Sequence, residues 1–357
     1  MAEHGQFSPG ARFIITLAAF VIVVMGIRQA ESILSMLFLS AFFTILCTPP
    51  YVYLQRKGVP GWASLILVII GVTLLQIAVV SVVVSSVADF KSQLPAYQER
   101  LQAVTRSLID WLQAHGVPVS VSVMTSSFNP GAVLKSVVNM LGGLGALLSN
   151  TFLIILTVIF MLVEASTFPD KLHRAFEGRV DFGPMDTFID RVKKYMSIKT
   201  LVSLATGVLI LAWNAVLGVD YALLFGMLAF LLNFIPNIGS IIAAVPAVLL
   251  ALIQLGPGHA LAVAAGYVVV NVVMGNMVEP RYLGRGLGLS TLVVFLSLVF
   301  WGALLGPAGM LLSVPLTMML KMALETSEDT RWLAVLLEPE HGSPATGQSP
   351  DKEGEPG

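Results

Sequence analysis

The sequence predicts an all-α polytopic membrane protein with about six full spans, two re-entrant helical hairpins and a helical extramembrane insertion after the third span. Three observations carry this. The chain is 56% hydrophobic and 11% charged, against about 25% charged in soluble domains. Its apolar runs repeatedly reach the ~20 residues that a helix needs to cross a bilayer. Two of those runs, 221–254 and 289–320, are too long for one untilted span, and Gly and Pro break each in the middle, at Pro236–Gly239 and Gly306–Gly309.

The elements follow in order. Apolar runs at about 12–29, 33–54 and 61–87 make an N-terminal three-span region, 1–87. The first is followed at once by the second and lacks a small-residue cleavage site, so it reads as a retained helix, not a leader. Pro49-Pro50 is expected to end or kink the second span. The insertion, 88–141, carries Leu94, Tyr97, Leu101, Val104, Leu108 and Trp111 at 3-4-3-4-3 spacing, a helical packing seam. It serves either packing within the chain or a subunit contact. The C-terminal core, 142–325, holds spans at about 142–164, 199–217 and 259–278 and both broken stretches. An amphipathic helix with Phe188, Ile189, Val192 and Tyr195 on one face leads into the fifth span. The tail, 339–357, is rich in Pro, Gly, Ser and Glu and is expected to be disordered.

The two broken stretches resemble each other. One reads Pro236-Asn-Ile-Gly-Ser-Ile-Ile-Ala-Ala-Val-Pro246, the other Pro307-Ala-Gly-Met-Leu-Leu-Ser-Val-Pro315. Half-segments of ~15 residues rise ~22 Å, short of a ~30 Å hydrocarbon core, which favours hairpins over four crossings. The densest Lys/Arg loop, 165–199, orients the chain. With that loop cytoplasmic, both termini are cytoplasmic, Arg281 and Arg285 fall on the same side, and the hairpins enter from opposite faces.

Several function classes find no support in the residues. The net charge of −1 gives no nucleic-acid footprint. The five histidines form no HExxH, there is no GxSxG or phosphate loop, and no intramembrane acid or Ser/His pair is apparent. The chain reads as a non-enzyme with no cofactor or metal. Cys47 reads as a small core residue.

What remains are polar groups at membrane depth, which are functional candidates by default. Between Lys199 and Glu279 only Asp220 is charged, and within this stretch lies Asn233-Phe-Ile-Pro-Asn-Ile-Gly-Ser240. In lipid every backbone group must be satisfied internally, so such a break belongs where it lines a protein cavity. Asn233, Pro236, Asn237, Gly239 and Ser240, with Asn271 and Asn276 from the next span, are the candidate substrate-binding residues. Glu279 is the candidate coupling or ion-binding group. The bland alternative for the asparagines is interhelical hydrogen bonding. For Glu279 it is a local ion pair with Arg281 or Arg285. Asn276 and Glu279, three apart, are expected on one helix face.

These residues also carry a resemblance. Asn233 to Ser240, Val245-Pro246, Asn271, Val278-Glu-Pro280, Gly286-Leu-Gly-Leu-Ser290, Gly306 to Gly309 and Val314-Pro315 are similar to the autoinducer-2 exporter family of bacterial membrane proteins. The order of spans is similar over about 12–325. The resemblance implies a multi-pass permease of the bacterial cytoplasmic membrane, whose partners are membrane lipid and a small-molecule or ion substrate. It alone implies a homo-oligomer, a pentamer being the assembly to expect. Three functions stay open: export of a small polar solute such as the autoinducer-2 signal, sodium (or other cation)/proton antiport, and a non-transporting membrane scaffold or receptor.

Overall fold

The computed structural model describes residues 8–116, 135, 139, 151–165, 171, 183–236, 238–283, 288–326 and 328–339. Expectations for Asn237, Arg285, most of 117–150 and the tail beyond Pro339 lie outside these residues. The described residues are helical, without strands. They form α1 (Pro9–Gln29), α2 (Glu31–Arg56), α3 (Gly61–Ala114), α4 (Thr151–Ala165) and α5 (Gly183–Val216). Then come α6 (Ala222–Leu232), α7 (Gly239–Leu255), α8 (Pro257–Asn271), a π-helical segment (Val272–Val278), α9 (Glu279–Leu283), α10 (Thr291–Glu325) and α11 (Arg331–Leu336). Five apolar stretches have the length and composition of membrane spans: Glu31–Arg56, Gly61–Trp111, Ile189–Val216, Pro257–Tyr282 and Thr291–Glu325.

The start of α1 has a local cause. Ser8 caps α1, its side chain accepting from Ala11 N at 3.3 Å, with Pro9 in the first turn. α2 does not end at Pro49-Pro50 but continues to Arg56. α3 is 54 residues long, ~81 Å at 1.5 Å per residue, so the third span and the start of the insertion are one continuous helix. Of the expected seam, Tyr97 and Leu101 are buried and Leu94 partly so, all against the chain's own core. Trp111 is exposed and stacks on His115. The amphipathic segment before the fifth span is likewise continuous with it, in α5.

Both broken stretches fold back on themselves. Gln254 Oε1 accepts from Asp220 N at 3.0 Å although 34 residues separate them. Thirty-four residues of straight helix would place them ~50 Å apart. Lys321 Nζ donates to Gly288 O at 2.9 Å across 33 residues, and Trp301 Nε1 donates to Thr317 Oγ1 at 3.0 Å. α6 and α7 are therefore the two limbs of hairpin 1. α10 is hairpin 2, bent at Gly306, whose φ of 58° lies in the left-handed region. Thr291–Glu325, which by length and composition qualifies as one span, is thus two half-length limbs.

The hairpin tips share a device. A Cβ on Gly239 would overlap Leu232 O, and one on Gly309 would overlap Trp301 O. In each repeat the glycine lets the returning limb lie directly on a carbonyl of the outgoing one. Gly207 and Gly226 make a similar contact between α5 and α6, where a Cβ on either would meet the other's carbonyl at 2.8 Å.

The hairpins enter from opposite ends. α5 and the α8–π segment run antiparallel, tied at one end by Lys199–Glu279 and at the other by Trp213 Nε1 donating to Ala262 O at 3.1 Å. Hairpin 1 leaves from the Trp213 end of α5, and hairpin 2 follows the Glu279 end of the π segment. α2 serves as a ruler between them. Phe42 packs edge-on against Phe234 at the tip of hairpin 1. Ser35 Oγ donates to Leu305 O at the tip of hairpin 2. These α2 positions are about 10 Å apart in helical rise, so the two tips touch α2 at different depths.

Gly239→Val and Gly309→Val should each destabilise the protein by at least ~2 kcal/mol through overpacking against a carbonyl. Gly71→Ala, in a helix with no atom within 4 Å of the new Cβ, should be neutral or stabilising by up to ~1 kcal/mol. Thermal unfolding in detergent checks both.

Candidate functional site

The tip of hairpin 1 is held by its own short bonds. Asn233 N donates to Ala229 O at 3.0 Å, Ile235 N to Leu232 O at 2.9 Å and Ile238 N to Pro236 O at 2.6 Å. Pro236 has no N–H to satisfy, which suits it to the break. Phe234 is buried edge-on between Phe42 and Phe230, at 5.6 and 5.7 Å between ring centroids. The apolar side chains thus anchor the tip and leave Asn233 facing α5.

There Asn233, 9% exposed, donates Nδ2 to Ser203 Oγ at 2.9 Å. One turn along α5, about 6 Å away in rise, Lys199 donates Nζ to both carboxylate oxygens of Glu279, at 2.8 and 2.9 Å. Lys199's side chain is 6% exposed and Glu279's 17%. The expected partner of Glu279 is therefore corrected: it is not Arg281, which is exposed, but a lysine 80 residues earlier. Tyr195, a further turn along, is also buried.

The π segment sets the carboxylate's direction. Its i→i+5 bonding widens the turn, so residues three apart no longer share a face as they do in an α-helix. Asn276 accordingly lies exposed while Glu279 turns inward to Lys199. Asn271, the last residue of α8, is half-buried, as are Pro236 and Ser240, and Gly239 is buried.

Of the sequence-selected residues, Asn233 and Glu279 converge on one face of α5. Lys199 and Ser203 are the members that sequence reasoning missed. Lys199 and Glu279 are the two charges that bound the charge-poor stretch, and this was the available signal. Among the described residues no three His, Cys, Asp or Glu side chains cluster in a way that could hold a metal. The site thus offers amide and hydroxyl groups beside an internally compensated charge pair, a chemistry suited to a polar solute of no net charge.

A buried pair gives a defined stability signature. Lys199→Met or Glu279→Met alone leaves one uncompensated charge and should cost ~3–5 kcal/mol. The double variant removes both charges and should recover most of that loss. Thermal unfolding of the four proteins in detergent measures the coupling; additive losses would show that the pair does not form.

Comparison with known proteins gives the chain a family. Residues 17–329 match the model of the AI-2E family transporter group. The chain is 39% identical over 329 residues to "AI-2 transport protein TqsA" of Escherichia coli (strain K12), covering 92% of this chain and 96% of that protein. It is 40% identical over 333 residues to a "Putative transport protein" of Haemophilus influenzae, covering 91% and 96%. It is 36% identical over 331 residues to "Putative transport protein YhhT" of Escherichia coli (strain K12), covering 92% and 95%. Matched over most of its length by the family model and by relatives at 36–40% identity, the chain belongs to the AI-2E family of membrane transporters.

Proposed function

We propose that this transporter exports a small polar solute of the autoinducer-2 kind across the bacterial cytoplasmic membrane, with both termini cytoplasmic. The observation that carries the reading is the hairpin 1 tip, where Asn233 and Ser203 lie one turn from Lys199 and Glu279. In this reading Asn233, Asn237, Ser240 and Asn271 contact the solute, Pro236 and Gly239 shape the break, and Asn276 lies at its edge. Glu279 couples transport to the pair with Lys199. The name of the Escherichia coli relative supports autoinducer-2 as the first solute to try.

One observation favours a second reading, cation/proton exchange. Such exchange needs a carboxylate inside the membrane domain, and Glu279 is one, held by a buried lysine.

Two measurements separate these readings. Cells expressing the chain should accumulate more autoinducer-2 in the medium than cells without it. Asn233→Ala should lose at least ~90% of that gain with protein levels unchanged, and Glu279→Gln should lose as much per folded protein, since it also leaves Lys199 uncompensated. Equal medium levels with and without the protein would overturn export of this solute, and an untargeted comparison of medium metabolites would then name another. In proteoliposomes with a pH-sensitive dye, addition of sodium or lithium should leave the signal unchanged; dequenching that is lost in Glu279→Gln would establish the exchange reading instead.

A further inference from the structure

The short helix α11 is two-faced. Trp332, Val335 and Leu336 stand at i, i+3 and i+4 and so share one face. All three are exposed, at 62%, 58% and 66%. On the other side Ala334 is buried, and Leu337, just past the helix, packs against the core cluster that holds hairpin 2. A single exposed apolar side chain needs no explanation, but a contiguous apolar patch marks a contact surface.

The bonds that hold α11 fix where this face lies. Ser290, which caps the start of α10, donates its N–H to Leu337 O at 3.0 Å. Lys321 Nζ donates to Glu338 Oε1 at 3.0 Å and to Gly288 O at 2.9 Å, and lies 3.4 Å from Glu325 Oε1. α11 is thus drawn back across the mouth of hairpin 2, level with the first turn of one limb and the last turns of the other. Charge is costly in hydrocarbon, so the Lys321, Glu325 and Glu338 cluster, with Asp329 and Arg331 exposed nearby, marks where the lipid interior ends. Just inside that level the limbs present exposed Leu292 and Leu296 from one and Met319 and Leu320 from the other, as a lipid-facing surface does.

We propose that α11 is a membrane-surface anchor: its Trp332, Val335 and Leu336 face sits in the headgroup region of the bilayer that holds the chain, while its other face closes the mouth of hairpin 2. The partner is a lipid surface. The residue types fit that level, since Trp joins an apolar ring to a polar N–H and is enriched at membrane–water interfaces. A helix with apolar residues on one face and charges beside them lies in the plane of the interface. A second copy of this chain fits less well. One aromatic ring supplies at most ~250 Å², and with two aliphatic side chains the face falls short of the ~800 Å² per partner of a stable interface. Through Leu337 and Glu338 the anchor ties the mouth of hairpin 2 to the membrane surface. This inference rests on membrane residence, not on which solute or ion is carried.

Spin-label depth measurement tests it. Val335→Cys and Leu336→Cys, each carrying a nitroxide, are studied in the full-length protein in liposomes of phosphatidylethanolamine and phosphatidylglycerol. Leu296→Cys is the lipid-facing reference and Glu328→Cys the water-facing one, both positions being exposed. Cys47 is the chain's one cysteine and is buried, so the parent protein taken through the same labelling supplies the blank. Substitutions at exposed positions are well tolerated, and elution as a single folded species checks each variant, with Trp332→Cys as a third position on the face. Power-saturation EPR reads how often each label collides with oxygen, which concentrates in lipid, and with a water-soluble nickel chelate. The ratio of oxygen to nickel collisions at the α11 labels should exceed that at Glu328→Cys by at least ~3-fold, as an interfacial face requires. A ratio equal to that of Glu328→Cys would put the face in water, and labels shielded from both reagents would put it against protein; either result overturns the anchor. The readout involves no transport, so its failure is distinct from failure of the autoinducer-2 assay.

Discussion

The ion pair between Lys199 and Glu279 is the constraint around which the rest of the core is arranged. A charge at membrane depth is costly unless it is compensated, and these two charges compensate each other across 80 residues of nearly uncharged chain. Closing that contact fixes α5 against the π segment at one end. Trp213 and Ala262 fix the same helices at the other end, where Gly266 leaves room for the indole. Everything between the two charges in sequence, including all of hairpin 1, must then fit between two antiparallel helices already in register. Asn233 reaches Ser203 because of that register.

Glycine supplies the second constraint. Helical hairpins inside a membrane domain can pack only if their limbs come close enough to leave no unsatisfied backbone, since lipid offers no partner. Gly239 and Gly309 each let a limb rest on a carbonyl of its partner limb, and Gly207 with Gly226 draws hairpin 1 against α5. The pair of hairpins reads as an inverted repeat not because the short sequence match is strong, but because the same residue type solves the same packing problem twice, from opposite ends.

Much of this was legible in the sequence. The hairpins were readable because length and interruption are local properties: an apolar run too long for one span, broken by Pro and Gly near its middle, has few other ways to fold. The Lys199–Glu279 pair was only faintly legible: the two charges bound the charge-poor stretch, but Lys199 closes a basic loop and so resembles an orientation signal, and nothing local ties it to Glu279. The exposure of Asn276 was missed for a related reason. An i,i+3 argument assumes an α-helix, and the π segment that breaks the assumption has no residue signature of its own in Val272–Val278. The continuity of α3 escaped because hydropathy falls after residue 87 while helix-compatible residues continue.

The mouths of the hairpins limit how such a core can move. At hairpin 1, Gln254 clasps Asp220 N, and the extension of α3 reaches over to hold Tyr221: Gln93 Nε2 donates to Tyr221 Oη at 3.0 Å, and Tyr97 donates to Gln93 at 3.1 Å. Tyr221 sits at φ 60°, a conformation that a bulky residue adopts only where its surroundings enforce it. At hairpin 2, Lys321 bonds Gly288 O and the Glu338 carboxylate, and Ser290 N donates to Leu337 O beside α11. Each hairpin is thus closed at its mouth by polar bonds and at its tip by a glycine contact, so its limbs are held to each other. Among the described residues, the side-chain hydrogen bond between the hairpin 1 tip and α5 is Asn233–Ser203. Hairpin 1 is thus fixed within itself and seated backbone to backbone on α5 at Gly207 and Gly226, so a displacement of its tip must either carry α5 with it or break that contact.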